Sequence, residues 1–147
     1  MLSIKTTHFL PQEAHDLRRE VFIDEQGFQE EFDQTDLTAW HLTLYDGDRP
    51  AACCRIFPDG PEGTWHVGRV AVGKAWRRQG LGARIMAEAE DAARSMGGRV
   101  MALSAQVQAA GFYEKLGYRQ SGETYLDEHC PHVHMEKVLK KPEAEEA

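Results

Sequence analysis

Two spacings of apolar residues alternate along this chain. Leu81, Ile85, Ala89, Ala92 and Met96 recur at intervals of four, four, three and four, which is one face of an α-helix. Gly97 then supplies the residue that ends it. Leu17, Val21 and Phe22 predict an earlier helix over residues 11–26, with Pro11 near its start, good helix formers after it, and Gly27 as its stop. Residues 38–45 switch to period two. Ala39, His41, Thr43 and Tyr45 fall on one face and Trp40, Leu42 and Leu44 on the other, as in a strand. Asp46-Gly47-Asp48 is a hairpin turn, residues 49–57 are the return strand, and residues 58–63 are the next turn. Thr64–Val72 reads as a fourth strand, residues 3–8 as a weakly patterned first, and residues 99–104 as a buried fifth. Residues 105–116 predict a helix closed by Gly117. Residues 118–126 and 132–139 predict an antiparallel pair around a loop at 127–131. The order is β, α, an optional α, three β, α, β, α and two β, an α/β domain on a mixed sheet over residues 1–139. The Glu-rich residues 140–147 predict a disordered tail.

The junction between the fourth strand and the helix that follows carries the chemistry. It reads Val72-Gly73-Lys74-Ala75-Trp76-Arg77-Arg78-Gln79-Gly80-Leu81-Gly82. The first N–H groups of a helix have no partner within it, and the helix dipole adds partial positive charge there. Glycines at that point let a phosphate approach the backbone. Arg69, Lys74, Arg77, Arg78 and Arg84 surround the turn, with no acidic residue before Glu88. The sequence lacks a Gly-Lys-Ser/Thr after the turn, so it is no Walker A loop. It has two glycines where a dinucleotide fingerprint needs three.

Arg77-x-x-Gly80-x-Gly82, after the fourth strand, resembles the Gln/Arg-x-x-Gly-x-Gly/Ala motif of the GNAT superfamily of N-acetyltransferases. Ala109-x-x-Phe112-Tyr113-Glu114-Lys115-Leu116-Gly117-Tyr118 is similar to a second motif of that family. Val21-Phe22-Ile23-x-Glu25-Gln26-Gly27 and Pro131-His132-x-x-Met135 resemble its small bacterial ElaA-like branch. The resemblance covers residues 1–139. It implies a mixed sheet of about seven strands with about four helices, the fourth and fifth strands splayed around the arm of acetyl-coenzyme A. Val70, Ala71 and Val72 would pair with the pantetheine amides. Arg77, Arg78, Gln79, Gly80, Leu81, Gly82 and Ala83 would hold the pyrophosphate. Gln106 stands where many members carry an Asn that bonds the arm.

Transfer of an acetyl group to an amine requires an unprotonated amine, a polarised thioester carbonyl, a proton for the departing thiolate, and attack geometry. The resemblance gives the thiolate's proton to Tyr113, with Phe112 beside it as the core residue. It gives carbonyl polarisation to the backbone N–H of Val70 or Val72. Glu25, Glu123, His41, His132 or a water chain could take the amine proton, His132 leading because it matches the branch pattern. The same fold could instead serve as a non-catalytic acyl-coenzyme A sensor, for which an acid at Tyr113 has no use. The acceptor and any homodimer stay open.

Charge and composition narrow the partners. The chain has 147 residues and a net charge of −7, which argues against nucleic acid. Residues 20–36 hold seven acidic side chains and no basic one. They form either a solvated acidic loop or a wall that attracts a cationic acceptor. No apolar run is long enough to span a bilayer, and the N-terminus has no signal-peptide pattern. Three cysteines without an export signal suit reduced thiols in the cytoplasm. The stretch His129-Cys130-Pro131-His132-Val133-His134 lacks zinc-finger spacing, so no metal is expected.

Overall fold

The structure, a computed structural model, describes residues 1–139; the expected tail lies outside the described residues. Seven strands form a sheet in the order β1-β2-β3-β4-β5-β7-β6. They are β1 (Leu2–Thr7), β2 (Trp40–Asp46), β3 (Arg49–Pro58), β4 (Thr64–Val72), β5 (Val100–Gln106), β6 (Arg119–Asp127) and β7 (Cys130–Val138). Three α-helices accompany them among the described residues: α1 (Gln12–Arg18), α2 (Leu81–Ser95) and α3 (Ala110–Lys115). The chain divides into two compact units, Met1–Phe57 with Val67–Ala89, and Pro58–His66 with the chain from Glu90.

In the first unit, β1, β2 and β3 pair antiparallel, with Thr7 opposite His41 and Leu42 opposite Cys54. Helix α1 starts at Pro11, whose carbonyl accepts from the His15 N–H at 2.9 Å. Its apolar face buries Ala14 and Leu17, which pack with Val21, Cys53 and Ala71. The helix expected through residue 26 changes pitch at Arg19. Residues Arg19–Glu25 wind as a π-helical stretch that ends at Gly27. Apolar spacing cannot separate the two windings, because both bury Val21. A further helix before β2 reduces to a single 3₁₀ turn, Gln34–Leu37, closed by a reciprocal cap between Asp33 and Asp36. Cys53 and Cys54 point to opposite faces of β3, and both are buried. Burial pushes the Cys53 thiol up to about 12 and the Cys54 thiol well above its ordinary value.

In the second unit, Thr64, Trp65 and His66 of β4 pair parallel with Val100, Met101 and Ala102 of β5. These are the register pairs of β4 with β5 among the described residues; β4 continues to Val72 and β5 to Gln106. Strand β5 pairs antiparallel with β7, and β7 with β6. Met101, Leu103, Ala105, Val133, Met135 and Tyr118 are buried. Gly97, at φ 91°, ends α2 where a side chain would be strained. Helix α3 is shorter than the spacing predicts, because β5 runs on to Gln106 and a 3₁₀ turn, Val107–Ala109, intervenes. The expected loop at 127–131 tightens to a turn at Glu128 and His129, so β6 runs on to Asp127 and β7 starts earlier, at Cys130. Phe112, expected in the core, is 39% exposed: on a helix of six residues the buried side falls to Ala110 instead.

Candidate functional site

The glycine turn belongs to the first unit. After β4 the chain makes a 3₁₀ turn, Lys74–Trp76, and reverses through Arg78 at φ 63° and Gly80 at φ 78°. Nothing lies within 4 Å of where a Gly80 side chain would begin, so the glycine is required by its backbone angle rather than by crowding. Helix α2 opens at Leu81, and the Arg84 N–H reaches back to the Gly80 carbonyl at 3.0 Å. The N–H groups of Leu81, Gly82 and Ala83 precede that first helical bond and therefore have no partner inside α2.

The basic residues around the turn are less available than their number suggests. Arg77 donates to both oxygens of Glu25, at 2.6 and 2.7 Å, and its Nε donates to the Val72 carbonyl at 3.1 Å. The pair holds the turn against the π-helical stretch. Its hydrogen bonds keep the Glu25 carboxyl below the usual range, which makes Glu25 a weaker base. Arg84 pairs with Glu88 one turn along α2. Arg69 is committed elsewhere. Lys74 and Arg78 remain without an ion pair among the described residues.

Arg69 belongs to a connected ionic cluster that also lies wholly in the first unit. Arg18 is 1% exposed and binds Glu31 (2.9 Å) and Asp36 (2.8 Å). Arg55 binds Asp36 (2.9 Å) and Asp33 (2.6 Å). Arg69 donates to the Glu31 carbonyl (3.1 Å), lies 3.2 Å from the Glu31 carboxylate and donates to Asp33 (3.3 Å). Three arginines thus meet three carboxylates. Burial alone would raise Asp36, but the guanidinium groups of Arg18 and Arg55 prevail and hold it down at about 2. Burial prevails at Glu31, which is raised despite Arg69 and Arg18. With Glu25, four of the seven acids in residues 20–36 are therefore ion-paired inside the chain. Neither a solvated acidic loop nor an open acidic wall describes them. Sequence reasoning missed this cluster, although one signal was present: Arg55 interrupts the apolar run Ala51-Ala52-Cys53-Cys54, and a charge there needs a buried partner.

His41 is 1% exposed, its Nε2 lies 2.9 Å from the Asp36 carbonyl, and burial pushes its pKa down. It is a structural histidine of the same cluster, closed off from an incoming amine. Of the strand residues, Ala71 turns into the core under α1, while Val70 and Val72 are half-buried.

The remaining candidates lie in the second unit. Tyr113 on α3 is half-buried, and its ring meets those of Phe112 and Tyr118 edge-on at 5.0 and 6.1 Å. His132 on β7 is buried, opposite Gln106 on β5 and Tyr125 on β6. Its Nδ1 lies 2.9 Å from the Cys130 carbonyl, and the Tyr125 ring stacks beside it at 6.2 Å. Tyr125 also hydrogen-bonds Ser104 of β5. Gln106 accepts from Gln108 at 2.6 Å. Glu123 is exposed on β6. One further polar group escaped the sequence: the Glu90 carboxylate is buried between Tyr118 (2.8 Å) and Lys137 (2.9 Å). Among the described residues no helix is long and apolar enough to cross a membrane.

Comparison with known proteins agrees with this architecture. The model of the acetyltransferase (GNAT) domain matches residues 7–139, running through both units. The uncharacterized N-acetyltransferase YjcF of Bacillus subtilis (strain 168) is 36% identical over 129 residues, covering 86% of this chain and 91% of that one. Escherichia coli ElaA superposes with a TM-score of 0.83 at 25% identity, over 93% of this chain and 99% of that one. An acyl-CoA N-acyltransferase from Pseudomonas aeruginosa does so with a TM-score of 0.83 at 30% identity, over 94% and 100%. With most of its length matched by the domain model and a relative above 30% identity covered nearly end to end, the chain belongs to the GNAT acetyltransferase family.

Proposed function

We propose that this acetyltransferase moves the acetyl group of acetyl-coenzyme A to a primary amine of a small molecule or a protein, by direct attack on the thioester. The observation that carries the reading is the Arg77–Gly82 turn. A left-handed glycine opens a fifteen-residue helix, and three backbone N–H groups there are free of helical partners, which is a donor set for a pyrophosphate. Gly80, Leu81, Gly82 and Ala83 bind through backbone. Arg78 and Gln79 border the phosphates. Arg77 contributes by holding the turn in place through Glu25. Val70, Ala71 and Val72 offer backbone to the pantetheine amides, as a strand accepts a neighbour, and Gln106 offers an amide to the same arm.

The neutral amine attacks the carbonyl carbon, and the C=O pair moves onto oxygen, where the Val70 or Val72 N–H stabilises it. Collapse restores the carbonyl and breaks the C–S bond, and Tyr113 gives its phenolic proton to the departing sulfur. The proton lost by the amine passes to His132 or to water. Because the acids of residues 20–36 are largely neutralised by the chain's own arginines, recognition of the acceptor rests on shape and hydrogen bonding more than on long-range attraction.

The test is a screen of amines at fixed acetyl-coenzyme A, reading release of free thiol: aminoglycosides, polyamines, amino sugars and peptide N-termini. Amine-dependent thiol release with a matching N-acetyl product by mass spectrometry is expected. Tight coenzyme binding without turnover of any amine would refute the catalytic reading.

A further inference from the structure

Arg69 is an unlikely residue to find in a left-handed conformation. It sits within β4 with φ 53°, a region that side chains other than glycine seldom enter. Gly68 precedes it and could take such a bend without steric cost, yet Gly68 is not among the residues of positive φ. The bend therefore lies where the guanidinium is held. The guanidinium touches the Glu31 carbonyl, the Glu31 carboxylate and Asp33. Those anchors are themselves fixed, Glu31 by the buried Arg18 and Asp33 by Arg55. A bend of one residue in a strand re-aims the peptide groups that follow it, and the next residue is Val70.

We infer that Arg69 is a positioning residue: its guanidinium, clamped between Glu31 and Asp33, holds the bend in β4 that aims the Val70 N–H at the acetyl carbonyl. The inference rests on the acetyl transfer proposed above and adds to it which N–H polarises the carbonyl and what keeps that N–H in line. Strained backbone persists only where its surroundings over-determine it, and such sites gather around function. Here the surroundings are six interlocked charges, and on the Glu31 side of the clamp, at 4% exposure, little water competes.

The test uses Arg69→Ala, Arg69→Gly and Asp33→Asn in the full chain, with folding followed by circular dichroism. Calorimetry gives acetyl-coenzyme A affinity. Difference infrared spectroscopy with the acetyl carbonyl labelled in carbon-13 gives its stretching frequency when bound. Thiol release with the acceptor found above gives kcat. In the wild type the band is expected below its solution position. In each variant affinity is unchanged, because the pyrophosphate turn is intact. The band returns toward the solution value and kcat falls about 10- to 100-fold, the scale of a misaligned reactive group. Arg69→Gly shows the same loss, since glycine permits the bend but cannot hold it. Asp33 is 43% exposed at its side chain, so Asp33→Asn decides the matter if Arg69→Ala fails to fold. Folded variants with a wild-type band and wild-type kcat overturn the clamp. A wild-type protein that binds acetyl-coenzyme A with the band at its solution position overturns the clamp alone. One that does not bind it overturns the functional reading and the clamp together.

Discussion

Replacing Asp36 by Asn should destabilise the fold by about 2–3 kcal/mol, a figure that follows from its neighbours. Asp36 is 7% exposed and accepts from Arg18 at 2.8 and 3.1 Å and from Arg55 at 2.9 Å. Its carboxyl is drawn from 3.8 down to about 2. That drop corresponds to roughly 2–3 kcal/mol of extra stabilisation of the charged form. Removing one partner of a buried pair outright costs about 3–5 kcal/mol. Asn keeps the volume and one acceptor, so the lower figure applies. For a chain of this size the loss lowers Tm by about 4–12 °C. The pH dependence gives an independent check. A carboxyl whose folded pKa is depressed contributes stability above its unfolded pKa and loses it as pH falls through the folded one. The Asp36 contribution is therefore complete above about pH 4 and declines toward pH 2. Urea titrations at pH 7 and in steps down to pH 2 read both effects. The wild type should lose stability over that acid window, and the Asn variant should lose less by about the amount it lacks at pH 7. An Asn variant within about 0.5 kcal/mol of wild type at pH 7, the range of an ordinary surface substitution, would show that Asp36 is not holding the two arginines together.

Gly82→Asp should leave the circular dichroism spectrum native, since an acid in the first turn suits the dipole of α2, yet abolish acetyl-coenzyme A binding in calorimetry by setting a carboxylate against the pyrophosphate; unchanged affinity would remove the turn from the site. Tyr113→Phe should lower kcat by about 10²–10⁴-fold with coenzyme affinity retained, and a wild-type kcat, measured where chemistry limits the rate, would return Tyr113 to a packing role. The apparent affinity for the acceptor should change little between low and physiological salt, because exposed charges alone are strongly screened at a Debye length of about 8 Å; a steep weakening with salt would show that residues 20–36 attract a cation after all.

The parts of the fold that depend on local pattern were readable in advance. Alternation in β2, the Asp46-Gly47-Asp48 turn and the glycine turn each follow from residues close in sequence, and each is where the spacing places it; on α2 the spacing finds Leu81, Ile85 and Ala89, while Met86 and Ala93 complete the buried face in place of Ala92 and Met96. What could not be read depends on distant partners. Arg18, Arg55 and Arg69 come from one helix and two strands, and their carboxylates from the stretch before β2, so no local window shows the cluster. The same stretch reads as open acidic surface in the sequence because spacing reports charge but not its neutralisation. The bend at Arg69 is invisible for the same reason, since by propensity Gly68 would take it. His41 is an acid–base candidate by residue type and a structural group by burial. Phe112 reads as a core residue by type and is exposed, because the short α3 turns Ala110 inward and leaves Tyr113 half-buried.

Burial of the three cysteines has a practical outcome for any assay of this enzyme. Cys53, Cys54 and Cys130 are all shielded, and Cys53 and Cys54 keep their protons at neutral pH because their thiols titrate far above it. A thiol-reactive dye needs an accessible thiolate, so the native protein should be nearly silent toward the reagent that counts released coenzyme A. The dye then becomes a second instrument. On unfolding, three new thiols per chain enter solution, and the rate of their labelling in mild denaturant reports how often the protein opens. A single chromophore can therefore follow turnover in the folded enzyme and, with substrate withheld, the lifetime of the fold itself.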